Sequence, residues 1–278
     1  MKKATVFTLG IIFTLLLFTS AAFAWDDLIT YTQGSVVGDP GNFYAGAMLR
    51  YSTAGDMYDA DGESQELADD ATGIRVPIFG SYNVMENLQA FALVPIVSMD
   101  DGTDSESGIG DVWIGGKYAV LGEGLLAIRG ALDIPTGDDE KGLGNAGGFG
   151  IDVAALSRRK LNDQFSVTGA VGLRWNGEDS DTEWAPGIAF HVRGDINYRA
   201  TEKVNLFANL VYFNQGDGEA GGTEITDSGV NWLDIHVGGS YHITEVCYAG
   251  LAIGFTPAGT NTNSDLGIVA WIGRSFMR

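Results

Sequence analysis

Twelve stretches of this chain alternate side-chain character residue by residue, and that period of two restricts the fold more than any other feature. The clearest runs from Gln164 to Trp175. Phe165, Val167, Val171, Leu173 and Trp175 fall on one face, and Gln164, Ser166, Thr168 and Arg174 fall on the other. Successive Cβ atoms leave opposite faces of a pleated strand, so the period is a strand period. Pro186 to Arg199 repeats the pattern, with Ile188, Phe190, Val192, Ile196 and Tyr198 set against His191, Arg193, Asp195, Asn197 and Arg199. The runs cover residues 42–51, 72–81, 88–98, 109–119, 125–135, 148–156, 164–175, 185–199, 204–214, 230–242, 247–256 and 265–276. Most are about ten residues, the length a tilted strand needs to cross a bilayer. In 88–98 and 247–256 the alternation is poor, and the pattern does not fix which face points where.

The connections between runs alternate too. Residues 82–87, 120–124, 157–163, 200–203 and 243–246 are short, and most of the others (52–71, 99–108, 136–147, 176–184, 215–229, 257–264) are longer. Short turns at one end and long loops at the other are the arrangement of a transmembrane barrel. A soluble sandwich would also give short alternating strands. Against it stand aromatics near the ends of the apolar faces (Phe43, Tyr51, Tyr82, Tyr118, Phe165, Trp175, Tyr198, Tyr212, Tyr241) and charges in the middle of the opposite faces. An Arg or Lys on the lipid face near the midplane costs roughly 2–4 kcal/mol, so a barrel must turn Arg129, Arg174 and Arg193 inward.

Residues 1–24 carry two lysines, an apolar run from about Val6 to Phe18 and Ala22-Phe23-Ala24, the layout of a cleaved signal peptide. Residues 25–41 then read as a periplasmic lead-in segment and 42–278 as the barrel. After the leader no apolar run is long enough for a membrane-spanning helix. The single Cys247 excludes an internal disulfide framework and a zinc cluster. A formal net charge of −20 argues against nucleic acid as a partner. The expected fold is an all-β, antiparallel, up-and-down transmembrane barrel of about twelve strands in a bacterial outer membrane. Its surroundings would be the lipid bilayer and lipopolysaccharide.

Period-two phasing makes Arg75, Asp111, Lys117, Arg129, Asp133, Arg174, Arg193, Asp195 and Asp234 the candidate lumen lining, with Arg50, Asp152 and Arg199 on the same phase. Such residues either bridge one another across strands or line a polar path for a solute. The six longer connections hold 22 of the 36 acidic residues and one of the basic ones, Lys141. Divalent cations at those outer loops are therefore a candidate partner, since carboxylate oxygens suit calcium and magnesium. Asp59, Asp61 and Glu63 give a weak metal site, because the later bidentate glutamate of a calcium loop is missing. The glycine-rich stretch 142–150 lacks the lysine and following helix of a phosphate cradle, and reads as an outer loop able to fold inward. The three histidines, His191, His236 and His242, have no identifiable serine near them, so the chain reads as a non-enzyme without cofactors.

One segment carries a resemblance. Gly108-Ile109-Gly110-Asp111, then Gly115-Gly116-Lys117-Tyr118, then Asp133-Ile134-Pro135-Thr136-Gly137-Asp138 and the glycine-rich 142–148 resemble the outer-membrane transporters of the phenol-degradation meta-pathway family. The match covers about 45 residues, with isoleucine at 134 where leucine is usual. The resemblance implies a monomeric barrel that lets a small, hydrophobic or aromatic solute cross passively. The alternative is a non-conducting structural or surface-binding barrel whose acidic loops bind cations.

Overall fold

The computed structural model describes residues 35–138, 141–144, 148–180 and 183–276; the expected leader and residues 25–34 lie outside them. Among the described residues twelve antiparallel strands form the wall. They are β1 Phe43–Tyr58, β2 Ser64–Met85, β3 Leu88–Asp100, β4 Val112–Leu121, β5 Leu126–Ile134 and β6 Gly150–Lys160, followed by β7 Phe165–Asn176, β8 Ala189–Arg199, β9 Val204–Gln215, β10 Val230–His242, β11 Cys247–Thr260 and β12 Leu266–Phe276. Each strand pairs with its neighbours in sequence, and β1 pairs with both β2 and β12. The sheet closes on itself and keeps no long free edge, as a chain crossing a bilayer with strands requires. Each of the twelve alternating runs has most of its length on one wall strand, although 109–119 starts on the short strand Ser105–Ile109 and 185–199 starts at the ribbon strand Trp184–Ala185.

The two faces part by chemistry. Ala127, Arg129, Ala131 and Asp133 of β5 are buried, whereas Ile128 and Leu132 between them are exposed. The outward belt continues around the wall through Leu49, Ile78, Ile114, Val171, Leu210, Ile253 and Ile272. At the short-turn end the belt is edged with aromatics. Phe43 meets Phe276 at 5.8 Å between ring centroids, and Phe165 stacks on Tyr198 at 4.8 Å. Three of the short turns share one device, a side-chain oxygen accepting two backbone N–H groups. Asn162 accepts from Gln164 and Phe165, Thr201 from Lys203 and Val204, and Thr244 from Val246 and Cys247.

The two weakly alternating strands acquire definite faces. In β3, Leu93, Pro95 and Val97 point inward and Ile96 outward; in β11, Ala252, Gly254 and Thr256 are buried while Leu251, Ile253 and Phe255 are exposed. Here the inner face is itself apolar or small, so the sequence shows little contrast.

Residues 52–71, expected as a loop, are mostly strand. The β1–β2 ladder runs on past the belt to Tyr58↔Ser64, with an irregularity between Ala54 and Asp56, and turns at 59–63. Beyond the membrane both faces of a ladder meet water, so the acids there need no alternation and hide the strand. Further out, Trp184–Ala185, Glu219–Ala220 and Thr223–Glu224 form a small three-stranded ribbon that ties the β7–β8 and β9–β10 connections together.

Candidate functional site

The lumen is not an open pipe. Its centre is Asp152 of β6, whose residue is fully buried. Arg174 lies directly opposite on β7, with its Nε 3.5 Å from Oδ2, and Arg129 reaches across from β5 with Nη2 2.6 Å from Oδ1. His191 sits two strands away on β8, yet its Nε2 comes within 2.9 Å of Oδ2. Gly172 makes that reach possible: it is the register partner of His191, and a Cβ there would run into the imidazole and into Ala154. The Arg174 guanidinium also lies 4.6 Å from the centre of the Trp113 ring on β4, a cation–π contact. One carboxylate thus gathers partners from three other strands. A buried charge is tolerated only with such company.

A second network belts the neighbouring wall. Arg193 grips Asp195 through two nitrogens, Nε at 2.9 Å and Nη2. Asn209 of β9 donates to Asp195 at 2.8 Å, and its oxygen meets His236 Nδ1 of β10 at 3.0 Å. Above it, Thr256 Oγ1 donates to the buried Asp234 at 2.6 Å. Of the remaining candidates, Arg75 is half-buried and is the register partner of Arg50, and Lys117 stands opposite Arg129. Asp133 is buried beside Gly150.

Asp111 has a different task. The β3–β4 pairing breaks at Gly110–Asp111, between the short strand Ser105–Ile109 and β4. Asp111 Oδ1 accepts the N–H groups of Thr136 at 3.1 Å and Gly137 at 2.8 Å. Thr136 Oγ1 donates to the Gly110 carbonyl at 2.8 Å and accepts from Val112 N at 3.1 Å. The residues that carry the family resemblance therefore tie the interrupted stretch to the start of the β5–β6 loop with side-chain bonds. They also fold the β5–β6 loop inward. Leu143 is buried against Gly108 and Gly110, where added Cβ atoms would lie 2.8 Å and 2.9 Å from it.

Between these features lie aromatic side chains that phasing alone did not single out. One cavity of about 310 Å³ is lined by Tyr44, Met48, Phe79, Phe207, Tyr248 and Trp271 on one side and by Arg193, Asn209 and His236 on the other. Tyr44 stacks on Phe79 at 5.6 Å and on Tyr248 at 5.8 Å. A second cavity of about 290 Å³ shares Tyr44 and Phe79 and adds Phe91, Leu93, Lys117 and Arg129. The signal was present: Phe79 shares the inward phase of Arg75, and Phe207 that of Asn209. The end of the lead-in segment borders this space. Val36 lines the second cavity, Ser35 donates to the Gly124 carbonyl of a short turn, and Gly41 N donates to Asn83 O at 2.8 Å. At the short-turn end a polar cavity of about 560 Å³ carries Arg158, Lys160, Arg199 and His242.

Asp59, Asp61 and Glu63 sit at the tip of the β1–β2 hairpin. Asp59 Oδ1 accepts from Asp61 N at 3.0 Å and Glu63 N at 2.9 Å, and Oδ2 accepts from Gln65 at 3.0 Å. The Glu63 amide is the first cause that holds this carboxyl below the usual carboxylate range. Its oxygens are spent on the turn. Among the described residues no three His, Cys, Asp or Glu side chains are grouped to hold a metal ion.

The family model described as "Putative MetA-pathway of phenol degradation" matches residues 18–268. The chain belongs to that family. This member of the phenol-degradation family is an outer-membrane β-barrel. Its fold is similar to the COG4313 outer membrane channel from Pseudomonas putida F1, with a TM-score of 0.77 at 16% identity over 87% of this chain and 98% of that one. A deletion variant of TodX described as a monoaromatic hydrocarbon channel follows at 0.51 and 12% over 92% and 95%, and the NanC porin at 0.50 and 10% over 84% and 100%. These similar structures are channels and porins, and at such identities they speak for the fold alone. No curated protein matches the sequence.

Proposed function

We propose that the protein is a passive outer-membrane channel for small apolar solutes, aromatic ones above all. The observation that carries this reading is the pair of aromatic-lined lumen cavities, about 310 and 290 Å³, sharing Tyr44 and Phe79. Volumes near 300 Å³ are at the small end of ligand pockets and suit a single ring. The charged side chains around them are largely committed to one another, which leaves the aromatic faces as the surface on offer to a solute. The family description, with its reference to phenol degradation, and the hydrocarbon attributed to the TodX variant agree with this class of cargo. Catalysis is no part of the reading: His191 is tied to Asp152 and His236 to Asn209. Lipid around the outward belt and lipopolysaccharide at the acidic outer end complete the proposed partners.

The inward loop with Leu143 favours a second reading, a barrel that is structural and closed. The two separate in one measurement. Intact Gram-negative cells carrying the protein are given radiolabelled toluene, phenol or glucose, and entry is compared with cells lacking it. Faster toluene and phenol entry with unchanged glucose entry is the expected result. No acceleration of any solute leaves the closed barrel.

A further inference from the structure

A path for neutral rings leaves the cavity at the short-turn end without a use. Its wall is drawn from β6 to β11, and three of its side chains are the cations Arg158, Lys160 and Arg199. Register sets the lining in tiers. Lys160 lies opposite Ser166, which lies opposite Asn197. Two residues further along β8, Arg199 lies opposite Asn205, which lies opposite Ser240. All six side chains line the cavity, and all can donate hydrogen bonds. Lys160 and Arg199 are two strands and one tier apart, roughly 12 Å by strand spacing and rise, so their long side chains can close on one small anion.

These cations have few carboxylates to answer to. Asp195 borders the same cavity, but Arg193 and Asn209 hold it. Among the described residues none of Arg158, Lys160 and Arg199 forms an ion pair, which leaves them facing the exposed turn residue Asp163. Scattered over a convex surface, lysines and arginines are merely solvated. Gathered inside a concave wall, they focus the field and draw in counter-ions. The acids of residues 56–70 stand at the opposite end of the barrel, and their effect fades within about 8 Å at physiological ionic strength.

The aromatic cavity adjoins this chamber: Asp195, Asn197 and Tyr248 line both. On its side of that border stand Tyr44, Phe207 and Trp271. A berth for one ring is thus continued by a chamber of cations, hydroxyls and amides. A neutral hydrocarbon uses only the first, and an inorganic anion only the second. A ring bearing a carboxylate uses both.

We propose that the adjoining cavities form one binding site for aromatic monocarboxylates, with the ring in the aromatic cavity and the carboxylate between Lys160 and Arg199. This rests on the passive-channel reading for the berth of the ring, and adds a class of solute to it. The test is equilibrium dialysis of the detergent-folded full chain against radiolabelled benzoate at low salt. The wild-type protein binds benzoate saturably, at one site per chain. Lys160→Gln together with Arg199→Gln weakens binding about tenfold or more, since charge-assisted hydrogen bonds are lost. Arg159→Gln removes a charge from the exposed outer face of the same strand and leaves binding unchanged. Lys160→Arg together with Arg199→Lys keeps the charges and keeps the binding. Competition needs no variant at all: unlabelled toluene displaces benzoate through the ring berth, whereas acetate and inorganic phosphate displace it weakly. Absence of saturable binding, full binding in the Lys160→Gln, Arg199→Gln protein, or an equal loss in Arg159→Gln overturns the site. Acetate or phosphate displacing benzoate as well as unlabelled benzoate does also overturns it, because the ring then has no part. Toluene entry into intact cells keeps the two readings apart, and the Lys160→Gln, Arg199→Gln protein should accelerate it as the wild type does. If the wild type gives no acceleration, the channel reading fails, while dialysis still decides the carboxylate site.

Discussion

The hairpin β2–β3 is bounded by two proline-weakened edges, at Pro77 toward β1 and at Pro95 toward β4, that have been treated differently. At Pro95, whose carbonyl accepts from Gly110 N, the break is braced from its far side: four hydrogen bonds among Asp111, Thr136, Gly137, Gly110 and Val112 tie residues 110–112 to the start of the β5–β6 loop, and Leu143 packs against Gly108 and Gly110. At Pro77 the ladder merely skips two residues and resumes. The same backbone defect is thus braced where a loop is available above it and left bare where the outer connection continues as a ladder. A missing ladder bond is a local vulnerability whose effect depends on what the neighbouring chain can bring to it.

Several substitutions would break or sharpen this contrast. The largest effect belongs to Asp111→Ala, which removes the acceptor of two loop amides, each a charge-assisted bond of about 1.5–3 kcal/mol. The β5–β6 loop should leave the lumen, the urea unfolding midpoint should drop, and planar-bilayer conductance should rise; unchanged conductance would mean that the loop is held by something else. Thr136→Val should act in the same direction with about 1–2 kcal/mol, since it removes one donor and one acceptor at the same break. Pro77→Val should stabilise the folded barrel by about 1 kcal/mol, whereas Pro95→Val should change the urea midpoint little, because the carbonyl of its partner Gly110 already accepts from Thr136 Oγ1. Equal gains at both prolines would erase the contrast. The smallest effect lies at the tip above the bare seam. The Asp59 carboxyl is lowered by the Glu63 amide, so its contribution is present above the ordinary carboxylate range and fades as the pH falls through the lowered value. Proteolysis at residues 59–63 should therefore accelerate only in strong acid, and Asp59→Ala should be cut readily at neutral pH.

Much of the wall could be seen in the sequence because lipid on one face and charge on the other impose contrast every second residue. Where that contrast disappears, so does the signal. In β3 the inner face carries Leu93, Pro95 and Val97, and in 64–70 both faces are wet. Phasing names Arg129, Asp152, Arg174 and His191 one at a time. It cannot show that they converge, because that depends on register across four strands and on the absence of a Cβ at Gly172. The motif from Gly108 to Asp138 was visible as a pattern, but its purpose was not, since nothing in the sequence announces that the strand partner of Gly110 is a proline. The facing of Phe79 and Phe207 is legible from the phase they share with Arg75 and Asn209, but the stacking of Tyr44 on Phe79 and Tyr248 is not, because it depends on which strands closure brings together.

Closure of the barrel joins Phe43 to Phe276, the first and last strand residues to be made. Among the described strand pairings that one spans the longest stretch of sequence, and loop-closure entropy makes such contacts slow to form. Every earlier stage is a curled, unfinished sheet with two raw edges, for which arginines such as Arg50 on β1 have no enclosed space to occupy. The carboxylate that gathers Arg129, Arg174 and His191 can assemble from the central strands alone, well before the ring is complete. Assembly would then begin at the charged middle, with the terminal strands zipped together last.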